Sequence, residues 1–311
     1  MLLDKLIVLT FSDKPLTDDN HLKKTCEEQG LNLKVLIHSP WEFNAIKIKL
    51  LYEWLPDVDP DSIILATDAF DVAIYDDAST IVRKYQEIEG DIIFSAESNF
   101  YFRNKKLVKQ YWKEYPRQTT IYDYLNSGTY VGKAGYLINM IESMVEKGDI
   151  TLEAESLRAT RSDQYAFSKH YVDYFHAEQG PKIRLDHEQK LMGCSGGRFS
   201  VIPFPDLSKM QAFLFFLVER NLLKTLKLHS NQNQPKDFKV EKNRFYNKKT
   251  KQFPSIIHLP GTWDNFDVVI ERLLNQRNPI SKNPIALLVS ILSFVLSLIF
   301  GIFLFFPKRR D

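Results

Sequence analysis

Short apolar runs alternating with longer helical patterns predict an α/β fold on a doubly wound, mostly parallel sheet, forming one large domain that is followed by a C-terminal transmembrane helix. Three observations carry that expectation: a β-α-β-α order in the first third of the chain, strands apolar enough to be buried on both faces, and a terminal stretch of 23 residues without a charge.

Residues 6–10 (LIVLT) read as the first strand. A helical pattern follows at 18–29, led by Asp18 and Asp19, whose charges suit a helix N-terminus. The second strand falls at 33–37 (LKVLI), a helix at 45–54, the third strand at 62–66 (SIILA), another acid-led helix at 78–88, and the fourth strand at 91–95 (DIIFS). Ligands of doubly wound sheets bind beyond the carboxyl ends of the strands, so the loops after Thr10, Ala66 and Ser95 are the places for a site.

The second half is less regular. Strands are expected at 128–131, 183–185 and 255–258, and helices at 134–145, 163–171 and 207–228. Residues 236–251 carry seven basic and two acidic side chains and read as a solvated loop. Near a membrane, this stretch and 207–228 could also rest on anionic lipid.

Residues 284–306 (PIALLVSILSFVLSLIFGIFLFF) are long enough, at about 1.5 Å per residue, to cross a hydrocarbon core of roughly 30 Å. The expected organisation is therefore a domain at 1–268, a polar linker at 269–283, a transmembrane helix at 284–306 and a short basic tail at 307–311. The first residues, with Asp4 and Lys5, do not form a signal peptide. A single-pass C-terminal anchor with the domain facing the cytosol is expected. Basic residues flank both ends of the span, so the positive-inside rule does not decide the orientation.

Of 311 residues, 41 are Lys or Arg and 39 Asp or Glu, and the net +2 resides in Lys308, Arg309, Arg310 and Asp311. A body that sums to zero lacks the basic excess of a duplex-binding protein, so no nucleic-acid partner is expected. Cys26 and Cys194 build neither a disulfide framework nor a paired zinc motif.

The chemistry concentrates after the third strand, in Thr67-Asp68-Ala69-Phe70-Asp71-Val72. Two carboxylates three apart address one ion only if the chain turns at Ala69-Phe70, and a strand end supplies that turn. Such oxygens suit Mg²⁺ or Mn²⁺ carrying a diphosphate. Alternatively, Asp68 caps a turn and Asp71 is a solvated acid.

Eight segments in order extend this reading: LIVLTFS, AIKIKLL, ILATDAFDV, IIFSAES, YLNSGTYVG, SDQYAFSK, IRLDHE and IIHLPG. Together, over about residues 5 to 265, they resemble the amino-terminal glycosyltransferase domain of the procollagen lysyl hydroxylases and related collagen sugar transferases. The resemblance implies a GT-A-like fold and transfer of a hexose from a UDP-sugar to a hydroxyl of a protein, glycan or lipid. It further implies that Asp68, Asp71 and His258 hold Mn²⁺, with Mg²⁺ as the substitute. Thr10, Lys47, Asp68, Asn126, Ser127, Gly128 and Gly261 fall at positions that contact the donor: Lys47 on its diphosphate, Thr10 near uracil or ribose. Asp163, Gln164 and Glu97 form the implied catalytic group, with Asp163 as base or as a carboxylate steadying positive charge on the sugar, and Glu97 on sugar hydroxyls.

Each position also has a plainer reading. Lys47 could be a solvated helix lysine, Thr10 a strand-end hydroxyl, Asn126-Ser127-Gly128 a turn, His258 a strand cap, and Ser162-Asp163 a helix cap. Ser162 stands where the family carries an acid, leaving the acceptor open. No iron- and 2-oxoglutarate-dependent domain is seen in the sequence, so hydroxylation is not expected. Competing classes are a metal-dependent nucleotidyltransferase or phosphohydrolase, and a catalytically idle membrane-anchored binding module.

Overall fold

The computed structural model describes residues 5–100, 108–177, 180–195, 237–242 and 244–262, with positions 266 and 270. The chain divides into two compact units, Met1–Leu274 and Asn275–Asp311, and all described residues belong to the first.

The opening run is β1 (Leu6–Ser12), α1 (His21–Glu28), β2 (Leu33–Ile37), α2 (Ile46–Trp54), β3 (Ile63–Thr67), β4 (Val72–Ile74), α3 (Ala78–Gln86) and β5 (Ile92–Glu97). It continues through α4 (Val108–Glu114), β6 (Tyr124–Lys133), α5 (Ala134–Glu146), α6 (Ala154–Thr160), α7 (Asp163–Asp173), β7 (Ile183–Asp186) and β8 (Met192–Cys194). Then come β9 (Phe238–Glu241), β10 (Arg244–Asn247) and β11 (Ile256–His258).

Six strands form the main sheet in the order β2-β1-β3-β6-β5-β7. Only β6 runs against its neighbours; the other pairings, β1 with β2 and β3, and β5 with β7, are parallel. The continuous apolar runs are explained by burial on both faces. Ile64 and Ala66 of β3, with Phe94 of β5, pack against Leu51 of α2, Met140 of α5 and Phe167 of α7. The alternate residues Ile63, Leu65 and Ile93 pack against Leu22 of α1 and Ile81 of α3. Period-two alternation thus gives each strand one side chain per face, and helices cover both. Side-chain caps fix two helix starts. Asp77 accepts from Thr80 N–H at 2.8 Å where the acid-led start was expected. α1 begins three residues later than expected, at His21, and is capped not by the acids before it but by Asn20, which accepts from Lys23 N–H at 3.0 Å.

A second sheet, in the order β4-β11-β8, stands beyond the carboxyl end of β3. β11 pairs antiparallel with β4 and parallel with β8, bringing His258 opposite Val72 and Cys194. This sheet carries the end of the domain back to the Asp68–Asp71 turn.

Two expectations change. Residues 236–251 are not a solvated loop: β9 and β10 form a hairpin whose Phe238 and Phe245 are buried with Ile257, Leu259, Phe266 and Ile270. The aromatic side chains outweigh the charge of the segment because alternation turns the lysines outward. Asn126-Ser127-Gly128 lies within β6 rather than in a turn. Opposite it the ladder shifts, from Phe94↔Tyr130 to Ser95↔Asn126, so β6 bulges there. No helix among the described residues is long and apolar enough to cross a membrane. The expected span at 284–306, the tail at 307–311, most of the linker and the 207–228 helix lie outside the described residues.

Candidate active site

β1 is followed in space by β2 on one side and β3 on the other, so the strand order reverses between β1 and β3. This switch point is where the crossovers diverge and leave a crevice. A cavity of about 210 Å³ opens there. Its walls are Ser12 at the end of β1 and Asp13 after it, Trp41 and Asn44 before α2, Lys47 in the first turn of α2, and the Asp68–Asp71 segment after β3.

The chain bends at Ala69-Phe70, as two cooperating carboxylates require, and resumes as β4 at Val72. Asn20 holds the bend by donating from its amide to the Ala69 carbonyl at 2.8 Å. Asp71 is buried, its Oδ2 accepting from Gly261 N–H at 3.1 Å and its backbone carbonyl from Leu259 N–H at 2.9 Å. Gly261 makes that bond from a left-handed φ of 80°, which favours glycine.

His258 Nε2 stands 3.5 Å from Asp71 Oδ1 and 3.6 Å from Asp68 Oδ2. One ligand atom from each of the three residues fits within 4.8 Å of the others. Asp71 Oδ1 and His258 Nε2 are both buried without a hydrogen-bond partner. Buried polar atoms are nearly always paired, so two orphans facing each other, with Asp68 Oδ2 beside them, are groups that a bound cation could satisfy. Burial opposes protonation of His258, but the charges of Asp71, Asp68 and Glu97 outweigh it and raise the imidazole pKa.

Gly128 explains how the imidazole fits. A Cβ at this position would fall 2.0 Å from His258 Cε1 and 2.6 and 2.7 Å from the two ring nitrogens. The ring occupies the volume that any other residue would fill.

Lys47 lies between two carboxylates, its ammonium 2.7 Å from Asp68 Oδ1 and 2.7 Å from Asp163 Oδ2, with its side chain only 8% exposed. Burial works against the charge, but Asp163 and then Asp68 outweigh it, so the ammonium pKa is raised. Asp68 therefore divides its oxygens, Oδ1 to Lys47 and Oδ2 toward His258. Asp163 is buried at the start of α7 and is also hydrogen-bonded to Ser127. Burial raises its pKa while Lys47 opposes the rise. Ser162 caps α7, accepting from Tyr165 N–H at 3.2 Å.

Glu97, at the carboxyl end of β5, is buried, and its Oε1 accepts from Asn126 Nδ2 at 2.9 Å and Gln164 Nε2 at 2.8 Å. Burial raises its pKa against those hydrogen bonds. Asn126 Oδ1 in turn accepts from Gly128 N–H at 2.9 Å. Lys47, Asp68, Asp71, Glu97, Asn126, Ser127, Gly128, Asp163, Gln164, His258 and Gly261 thus converge. Thr10 does not join them: it is fully buried, and its hydroxyl donates to the Thr67 carbonyl at 2.9 Å, locking β1 to β3. Trp41, Asn44 and the 41%-exposed Phe70 were not singled out by sequence reading. Phe70 had a signal, an exposed aromatic between two acids.

Doubly wound α/β architecture with an acid pair at the switch point defines a domain of the α/β class with its candidate ligand site in the crevice beyond the strand ends. The family model described as the PLOD GT domain matches residues 3–197, and the chain belongs to that glycosyltransferase-domain family. The match takes in the site residues from Thr10 to Gln164 but ends before His258 and Gly261, short of the 5–265 over which the resemblance was read. The chain is similar to procollagen-lysine,2-oxoglutarate 5-dioxygenase 2 of Mus musculus, at 26% identity over 205 residues, covering 62% of this chain and 26% of that protein. The Homo sapiens protein of the same name gives 25% over 206 residues, with the same coverage. Procollagen-lysine,2-oxoglutarate 5-dioxygenase of Drosophila melanogaster gives 29% over 131 residues, 42% of this chain and 16% of that protein. The chain thus spans about a quarter of the length of the first two. A crystallised glycosyltransferase involved in glycosylation of the major capsid of PBCV-1 is similar at a TM-score of 0.39 and 11% identity, over 86% of this chain and 98% of that one.

Proposed function

We propose that this domain transfers a hexose from a UDP-sugar to an acceptor hydroxyl on a protein, glycan or lipid, on a GT-A-like fold, with Mn²⁺ held by Asp68, Asp71 and His258. The observation that carries the reading is the pair of buried, unpartnered atoms, Asp71 Oδ1 and His258 Nε2, facing Asp68 Oδ2 at the edge of the switch-point cavity. Two carboxylates and one imidazole suit Mn²⁺, and Mg²⁺ with its stronger oxygen preference is the substitute. When bound, the dication supplies charge that stabilises a diphosphate leaving group.

The chain's own residues supply the rest. Lys47 adds a fixed positive charge beside the same diphosphate position, and Asp163 keeps it there. Trp41 and Phe70 offer aromatic faces to a nucleobase, with Asn44 and Asp13 as polar edges. Glu97, braced by Asn126 and Gln164, is the carboxyl assigned to sugar hydroxyls. With its Oδ2 on Lys47, Asp163 acts in this reading through that lysine rather than as a free base. Residues 284–306 would tether the domain to a membrane with the domain on the cytosolic side.

The test is a UDP-release screen across nucleotide sugars with Mn²⁺, offering lysine-rich peptides, glycans and lipids as acceptors. One UDP-hexose should release UDP, and Asp71→Asn or His258→Ala should cut the rate roughly 100-fold or more. Unchanged turnover in both variants refutes the ligand assignment. Release of pyrophosphate or inorganic phosphate instead of UDP supports the nucleotidyltransferase or phosphohydrolase class.

A further inference from the structure

A second cavity of about 230 Å³ lies where the C-terminal halves of α5 and α7 meet the start of β7. The start of β7 is the end of the sheet opposite to Glu97 and Asp186, because β5 and β7 run parallel from Ile92↔Ile183 to Ser95↔Asp186. This cavity is therefore remote from the catalytic end. Its lining contains Lys147, Lys182 and Arg184, the imidazole of His170, and no carboxylate.

Two of the three cations are fixed in place. The Lys147 ammonium sits 4.3 Å from the centroid of the Tyr174 ring, and the Arg184 guanidinium 5.4 Å from that of Phe175. Both rings line the same cavity. Cation–π contacts hold the charges without neutralising them. Among the described residues none of the three cations forms an ion pair. Of the acids nearby, Asp149, just after α5, pairs with Lys169 and His170, and Asp173 of α7 with Lys169 and the Tyr111 hydroxyl, while Glu142 and Glu146 of α5 do not line the cavity. Asp91 accepts the Lys182 backbone N–H at 2.8 Å. The ends of α5 and α7 present helix C-termini, each equivalent to about half a negative charge, which leaves three cations only partly compensated.

We propose that this cavity is an anion site for a phosphate-bearing ligand, separate from the donor site. Phosphate oxygens accept charge-assisted hydrogen bonds from a guanidinium and two ammonium groups at once, and a monoester or inositol phosphate headgroup fits a cavity of this size.

Binding is measured by calorimetry on the full chain in chelator, which silences the divalent-cation site. The probes are inorganic phosphate, soluble inositol bisphosphate, and vesicles with or without phosphatidylinositol phosphate. Saturable binding of a soluble probe is expected, weakened roughly tenfold or more in Lys147→Met with Arg184→Met, the size of one lost charge-assisted hydrogen bond. Lys182→Glu, a single exposed change, should weaken it in the same direction if the double variant is unstable. Asp71→Asn should leave it unchanged. Retention on the phosphoinositide vesicles alone assigns the ligand to lipid, and soluble binding without retention assigns it to a free phosphate. Absence of saturable binding to every probe, or binding indifferent to these substitutions, overturns the site.

Discussion

At the scale of single residues, Gly128 and Lys47 show what the sequence reveals and what it withholds. The Asp68-Ala69-Phe70-Asp71 spacing announced a turn and a pair of acids, and both are present. Gly128, implied by the resemblance to contact the donor, also leaves through its missing Cβ the room that the His258 ring occupies. Nothing local to Asn-Ser-Gly could show that, because the partner lies 130 positions away. Gly128→Ala should lower divalent affinity roughly 10- to 100-fold, as loss of a supporting contact does, measured by Mn²⁺ titration with electron paramagnetic resonance. In a double-mutant cycle, the stability cost of Gly128→Ala should largely disappear in the His258→Ala background, where the clash is gone. An undiminished cost would locate the defect elsewhere. Lys47 was legible as a cation but not as a clamp between two acids. Lys47→Met should destabilise the fold by about 3 to 5 kcal/mol, because it strands buried carboxylates. Asp163 already has a raised pKa, and the loss of Lys47 raises it further. The folded variant then binds more protons than the unfolded chain, so stability falls as pH rises above the ordinary carboxyl range. Urea melts at about pH 5 and about pH 7 should show the larger deficit at the higher value.

At the scale of elements, β1, β3 and β5 were readable because burial on both faces leaves unbroken apolar runs, whereas the edge strand β2, half-exposed, showed through its β-branched and aliphatic residues. The three-residue strands β4 and β8 were not, since pairing with β11 rather than composition makes them strands. The β9-β10 hairpin was hidden by its charge. It packs Phe245 on the cluster that includes Ile257 and Leu259, the neighbours of His258. Phe245→Ala should therefore cost about 3 to 5 kcal/mol and weaken Mn²⁺ binding although no ligand changes. Retained affinity would uncouple the hairpin from the site. Elsewhere, Asp149 ties the end of α5 to α7 through His170 and Lys169. Burial alone would raise its pKa, but these partners outweigh it and hold the carboxyl below its ordinary value. Its contribution is present above the unfolded carboxyl pKa and vanishes as pH falls through the folded one. Asp149→Asn should lower the melting temperature at neutral pH and narrow the gap to wild type in acid, as followed by circular dichroism.

At the scale of the molecule, the candidate site is a convergence of distant segments: α2 brings Lys47, the end of β3 brings the acids, the bulge in β6 brings Asn126 to Gly128, α7 brings Asp163 and Gln164, and β11 brings His258. Family resemblance supplied that grouping, and doubly wound topology gives the reason for it, because every contributor except β11 ends or begins beside the switch point or the carboxyl end of β5. The second sheet exists to return β11 to the same place. Diffraction from crystals grown with Mn²⁺ and UDP, recorded for anomalous scattering from manganese, tests this most directly. A single strong peak bounded by Asp68, Asp71 and His258 is expected, with the diphosphate on the cavity side. A peak elsewhere, or an imidazole turned away from both acids in the loaded protein, would contradict it.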